Sequence, residues 1–264
     1  MQHPRCTSTT HTHPDRVTPA AVRIDTGIFA NRFAAQGMSQ SQRWAALVEY
    51  AVWAAGRSDL LTAIRTELRG RDLVCACPVD DPSCHRSVLA DLAHPGREPH
   101  SHPAALTVRR PWASMLLIPS SVGGKNVENR TWATDYRGPV LIRGAAGPQT
   151  GVDAAGIAMC GRMGFDVPWH SAQKGWLGAA VLTDVHEDAG CCKPWGQTRR
   201  HRDQPLYHWV FQSPARLAAR TWGAGFEGLH PHPWSVLVNR SALHGQPRAA
   251  RRRPAGEPLS LIHI

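Results

Sequence analysis

Three prolines fall within the ten residues 94–103, His-Pro-Gly-Arg-Glu-Pro-His-Ser-His-Pro, a stretch that offers no large apolar side chain to a core. Proline fixes φ and donates no backbone hydrogen bond, so neither a helix nor a central strand passes through such a segment. The chain is therefore expected to fold as two parts joined at residues 96–104. At 264 residues it is long enough for two ordinary domains, each burying its own core. A Thr/His/Pro-rich lead at residues 1–15 and a basic tail at 239–264 show no apolar period and are read as disordered. The end of that tail, Leu259-Ser260-Leu261-Ile262-His263-Ile264, looks like translated sequencing-adapter read-through and is assigned no function.

In residues 16–95, Ala21–Asp25 is a short β-prone piece. Apolar residues at helical spacing (Trp44, Leu47, Val48, then Leu60, Leu61, Ile64, Leu68) predict two helices. Gly70 stands where a glycine ends the second, Leu73–Cys77 reads as a buried strand, and Ser83 is placed to cap a helix over 84–93. In residues 105–238, strands are predicted at 105–108, 127–132, 139–143, 178–185, 207–211 and 235–238. A short helix after Pro111 and a Gly/Ala-rich helix around 152–163 complete the set. The predicted class is α+β, a small α/β domain followed by a β-barrel.

The net charge of +10 is unevenly spread: residues 16–95 carry nine basic and eight acidic side chains, 105–238 carry fourteen and nine, and 239–264 carry five and one. An excess in the second half suits a polyanionic partner, although an arginine-rich composition alone gives the same count. No run of eighteen apolar residues occurs and Met1–Arg5 lacks a signal-peptide core, so a cytoplasmic protein without membrane contact is expected. Seven unevenly spaced cysteines do not form the framework of a small secreted domain, and reduced thiols are expected. The sequence leaves oligomeric state open.

Two constellations carry candidate chemistry. In Gly123-Gly124-Lys125-Asn126-Val127-Glu128-Asn129-Arg130-Thr131-Trp132, a glycine loop leads into a strand that would put Glu128, Arg130 and Trp132 on one face. A carboxylate for a base amine, a guanidinium for phosphate and an aromatic ring for stacking make a nucleotide-reading set. The same pattern also fits a surface strand with an Arg–Glu pair and a half-buried Trp. In the first half, Cys75 and Cys77 on one strand face and the pair Cys84-His85 at a helix start allow three readings: a zinc site, a reactive Cys84 with a lowered thiol pKa, or buried core cysteines. Cys191-Cys192 with Trp195 is read as packing, with a site-edge role for Cys192 as the alternative.

Leu106-Thr107-Val108-Arg109-Arg110-Pro111-Trp112, the pattern Gly123, Lys125, Glu128, Arg130, and Tyr136-Arg137-Gly138-Pro139 together resemble the activating-signal-cointegrator-homology (ASCH) family. Later segments around Gly178–Val185, Cys191–Trp195 and Tyr207–Phe211 fit the same order, so the resemblance spans about half the chain. It implies a PUA-like β-barrel whose cleft binds RNA or a modified nucleotide, with Arg109, Trp112, Lys125, Glu128, Arg130, Trp132 and Arg137 as binding candidates. Lys125 and Arg130 would hold phosphate and Glu128 a base edge. Some members are amidohydrolases acting on acetylated cytidine and others are described as nucleases. A hydrolase using the same cleft, with Lys125, Glu128 or Cys84 as catalytic candidates, is the alternative. In those amidohydrolases a Thr nucleophile stands where Glu128 stands here, which ranks binding first. Residues 16–95, with Leu73-Val74-Cys75-Ala76-Cys77 and Cys84-His85, resemble the domain of unknown function 4326 family of bacteria and phages. That resemblance implies no activity and admits a non-catalytic phage or host interaction protein. Zinc, on Cys75, Cys77, Cys84 and His85, is the one cofactor considered.

Overall fold

The computed structural model describes residues 6–8, 21–95, 103–147, 151–198 and 204–239. Most of the expected linker and the tail beyond 239 lie outside the described residues. The architecture is α+β: N-terminal helices with a small parallel sheet, then a six-stranded mixed sheet curled into a half-barrel.

The first part contains β1 (Cys6–Ser8), β2 (Val22–Arg23), α1 (Gln40–Ala55), α2 (Ser58–Ala63, continued by a π turn to Leu68), β3 (Leu73–Cys75) and α3 (Arg86–Ala93). β3 is the centre of the small sheet, with β1 and β2 parallel on either side. The expectation that residues 1–15 lack structure is corrected at β1, where three residues occupy the free edge of β3. A strand that short leaves no periodicity to read. Gly70 adopts φ 76° where the second helix ends, as its position suggested. Ser83 is not the cap of α3: its hydroxyl donates to Asp81 Oδ1 at 2.6 Å, and the helix starts at Arg86.

Helix α1 begins with a capping box. Gln42 N–H donates to Ser39 Oγ at 3.4 Å, and Ser39 N–H donates to Gln42 Oε1 at 2.8 Å. Both partners are exposed, so Ser39→Ala should lower stability by about 1 kcal/mol without altering the sheet behind it. Chemical denaturation followed by circular dichroism measures this, and an unchanged midpoint would show that the cap adds nothing.

The second part holds β4 (Ala104–Val108), α4 (Trp112–Met115), β5 (Val127–Arg130), β6 (Gly138–Gly144), α5 (Ala154–Arg162), α6 (Val167–Ala172), β7 (Gly175–Glu187), β8 (Tyr207–Thr221) and β9 (Leu229–Pro231). The strand order is β5-β8-β7-β6-β4-β9, with β4 and β6 parallel and the other neighbours antiparallel. The expected last strand at 235–238 is instead a 3-10 turn over Trp234–Leu237 that follows Pro233, and β9 closes the edge. Pro231 and Pro233 deny the ladder two donors at this point, which ends the strand.

Side-chain alternation assigns the sheet's two faces. Leu106, Val140, Ile142, Ala180 and Leu182 point into one cluster with Trp112, Trp209 and Phe211. Ala105, Leu141, Ala179 and Val181 point into the other, with Leu47, Val48 and Tyr50 of α1 and Leu89 of α3. Both faces are buried, which explains why these strands read as continuous apolar runs. α1 packs across β6, β7 and β8, so one apolar core continues from the first part into the second. The buried carboxylate of Asp91 on α3 accepts the Trp234 N–H at 2.8 Å and ties the two parts again. No helix among the described residues is long and apolar enough to cross a membrane.

Candidate functional site

The glycine loop is built to bury a lysine. Gly123, at φ 87°, ends a 3-10 turn, and Gly124 passes under the Ile118 carbonyl so closely that a Cβ would lie 1.9 Å from its oxygen. The Lys125 N–H then donates to Met115 O at 2.9 Å, which seats the residue against α4. Its ammonium donates to Val127 O and, at 2.6 Å, to Glu128 Oε2. Burial pushes the Lys125 pKa down, and the Glu128 charge only partly offsets this. Glu128 Oε1 lies 3.5 Å from Arg130, whose guanidinium donates to Thr107 O at 2.9 Å. A carboxylate is thus clamped between two cations at the floor of a cleft of about 260 Å³.

Trp112 and Trp195 form its aromatic wall, edge to face with centroids 5.9 Å apart. The Trp112 indole N–H donates to Asp153 Oδ2 at 3.1 Å. Asp153 also caps α5 by accepting from Gly156 N at 3.0 Å. Burial raises the Asp153 pKa, but these hydrogen bonds and Arg109, 3.9 Å away, outweigh it and leave the group below its ordinary value. Gly156 has no room for a side chain, since a Cβ would fall 2.6 Å from the Trp112 ring. Arg109 stands at the rim with its side chain 55% exposed. Asn129 joins the walls: its amide donates to Trp195 O at 3.0 Å and accepts from Gln197 N at 2.9 Å.

Of the binding candidates, Arg109, Trp112, Lys125, Glu128 and Arg130 come together in this cleft. Trp132 and Arg137 lie elsewhere. β5 stops at Arg130, so the alternation does not reach Trp132, which packs edge to face on Trp209 at 4.5 Å. Arg137 donates to the carbonyls of Thr134, Tyr136 and Val185. Asp153, Trp195, Asn129 and Gln197 were missed by the sequence reading. Asp153 had a local signal, an Asp three residues before Gly156 at the head of a small-residue helix.

In the first part, Cys75, Cys84 and His85 are buried, and one ligand atom of each lies within 4.8 Å of the others. His85 Nε2 donates to Ile24 O at 3.0 Å, leaving Nδ1 with its lone pair. The expected low pKa of Cys84 is not found. Hydrogen bonding to Cys75 and Cys77, with burial, pushes its thiol up, whereas the hydrogen bonds of Cys75 with Cys77 and Cys84 pull the Cys75 thiol down. The Arg86 N–H at the start of α3 does pull the Cys84 thiol down, but the neighbouring cysteines and burial, with Cys84 2% exposed, outweigh it. A second group of metal-ligand type, His186, Cys191, Cys192 and His208, lies where β7 gives way to β8.

Residues 7–95 match a family model described as a domain of unknown function (DUF4326). The match begins at β1, earlier than the boundary at 16 read from the sequence, and ends where α3 has just closed. No curated protein matches the chain.

Proposed function

We propose that the half-barrel is an ASCH-type, PUA-like domain whose cleft binds a nucleobase or modified nucleotide, presented by single-stranded RNA. The observation that carries this reading is the Glu128 carboxylate, fixed by Lys125 and Arg130 below the indoles of Trp112 and Trp195. A carboxylate accepts hydrogen bonds only, so in that place it selects an exocyclic amine or ring N–H. The indoles supply stacking, which serves single-stranded bases and not a closed duplex. The phosphate-binding role moves outward: Lys125 is spent on Glu128, and Arg109 and Arg130 are the cations that face an incoming backbone. A net charge of +10 favours the same partner.

One observation favours a hydrolase of modified nucleosides as a second reading. Lys125, its ammonium destabilised by burial, lies 2.6 Å from Glu128, an arrangement able to move a proton.

The test is a salt series of binding isotherms with short RNAs and with free nucleosides, acetylated cytidine included. Arg109→Ala should reduce the dependence of log K on log salt by roughly 0.7, one phosphate on a single strand. Glu128→Gln should change base or modification preference by about 1–3 kcal/mol and leave that slope intact. In a hydrolase, Glu128→Gln would abolish turnover while binding persisted. Equal affinity of wild type and both variants for every probe would end the proposal.

A further inference from the structure

We propose that His186, Cys191, Cys192 and His208 form a four-ligand site for a divalent transition-metal ion, with zinc the metal its donors fit best. The inference stands apart from the nucleotide reading. His186 and His208 are direct cross-strand partners on β7 and β8, with rings edge to face and 5.5 Å between centroids. The two cysteines come from the connection between these strands. Neighbouring side chains in extended backbone point apart, but Cys192 adopts φ 62°, and this turns both sulfurs toward the histidines. All four ligand atoms lie within 4.8 Å of one another. His186 Nε2 is 3.2 Å from Cys191 Sγ and 3.4 Å from Cys192 Sγ, and His208 Nδ1 is 3.4 Å from Cys191 Sγ. Tetrahedral zinc with ordinary Zn–S and Zn–N bonds sets its ligand atoms about 3.3–3.8 Å apart.

The outer partners settle which nitrogen faces the centre. His186 Nδ1 lies 2.6 Å from Asp184 Oδ2, and a carboxylate accepts, so the neutral ring keeps its proton on Nδ1 and its lone pair on Nε2. His208 Nε2 donates to Gln197 O at 2.9 Å, which leaves the lone pair on Nδ1. Two imidazole lone pairs and two sulfurs therefore converge. A network of neutral thiols uses this poorly, because His186 Nε2 faces both sulfurs with a single lone pair. A metal ion replaces both thiol protons, which leave to solvent, and accepts all four pairs. The Asp184–His186 hydrogen bond is the carboxylate–histidine arrangement that orients metal ligands, and an N₂S₂ tetrahedron selects zinc among the common divalent ions. Gly196 closes the group: a Cβ there would lie 2.8 Å from His208 Cε1 and 2.9 Å from Cys192 Cβ. The ion would pin the loop that delivers Trp195 and Gln197 to the cleft wall.

The experiment uses the full chain, stripped of metal and reloaded with zinc or cobalt(II). Elemental analysis after dialysis should find a tightly held equivalent. Cobalt should give the intense visible bands of tetrahedral thiolate ligation. Cys192→Ser and His208→Gln should lose this equivalent, and Cys84→Ser, in the other cysteine group, should keep it. Asp184→Asn should weaken zinc affinity roughly 10–100-fold with the ligands intact. Where a ligand variant fails to fold, the wild type decides: zinc should protect Cys191 and Cys192 from iodoacetamide in mass-mapped alkylation. Identical alkylation of these two with and without zinc, or loss of the metal in Cys84→Ser but not in Cys192→Ser, overturns the proposal.

Discussion

Lys125→Met should destabilise the protein by about 3–5 kcal/mol, the range seen when one partner of a buried ion pair is removed. Lys125 is 3% exposed, and its ammonium is held by Glu128 and the Val127 carbonyl. Without it the Glu128 carboxylate keeps only the longer contact to Arg130 at 3.5 Å and lies largely out of water. The double variant Lys125→Met, Glu128→Leu removes both charges at once and should recover most of the loss, because the penalty belongs to the unpaired charge more than to the missing bond. Chemical denaturation of wild type, Lys125→Met, Glu128→Leu and the double variant gives the coupling directly. If Lys125 instead held phosphate, Lys125→Met would leave the midpoint near wild type and reduce the salt dependence of RNA binding. The measurement thus separates a positioning lysine from a ligand-binding one.

The second large effect is in the pH dependence of stability. Asp91 is 3% exposed, and burial raises its pKa from 3.8 to about 7 against the lowering effect of the Trp234 N–H. A carboxyl whose pKa is higher in the folded state binds a proton there that the unfolded chain has already released. Its contribution therefore falls as pH rises from about 4 to about 7, and the full penalty is present above about 7. At about 1.36 kcal/mol per pH unit, that penalty reaches about 4 kcal/mol. Asp91→Asn keeps an oxygen for Trp234 N–H and removes the titration. Its stability relative to wild type should rise by up to about 4 kcal/mol between pH 4 and pH 8. Parallel pH profiles for the two proteins would show that Asp91 does not carry this term.

Much of the fold was legible because its signals are local. The apolar spacing of Trp44, Leu47 and Val48 marks α1, and the runs at 139–143 and 178–185 mark β6 and β7. The sequence does not say that α1 lies across those strands. Its stripe requires only some apolar partner, and Leu141 and Val181 of the sheet supply one from more than eighty residues away. At the site, Glu128 and Arg130 were legible together because one strand carries them, and Lys125 joined them through the family resemblance. Trp195 and Gln197 reach the cleft from one loop and Asp153 from another, and they had no shared pattern. Burial also changed a role: nothing in the spacing of Lys125 and Glu128 tells a phosphate ligand from the inner half of an ion pair. Cys191 and Cys192 were read as packing, with a site edge as the alternative for Cys192; adjacent side chains ordinarily diverge, and the left-handed backbone at Cys192 makes these two converge.

The central claim is that the cleft, and not the general basicity of the chain, receives a base. Photocrosslinking of the full protein to a short single-stranded RNA carrying thiouridine, with adducts mapped by mass spectrometry, tests it most directly. Adducts are expected within residues 107–112, 125–130, 153–159 and 194–197, the segments that line the cleft, and free nucleoside should compete them away. They should persist at salt concentrations that release non-specific binding. Adducts spread over basic segments outside these stretches, insensitive to nucleoside and lost with modest salt, would contradict the account.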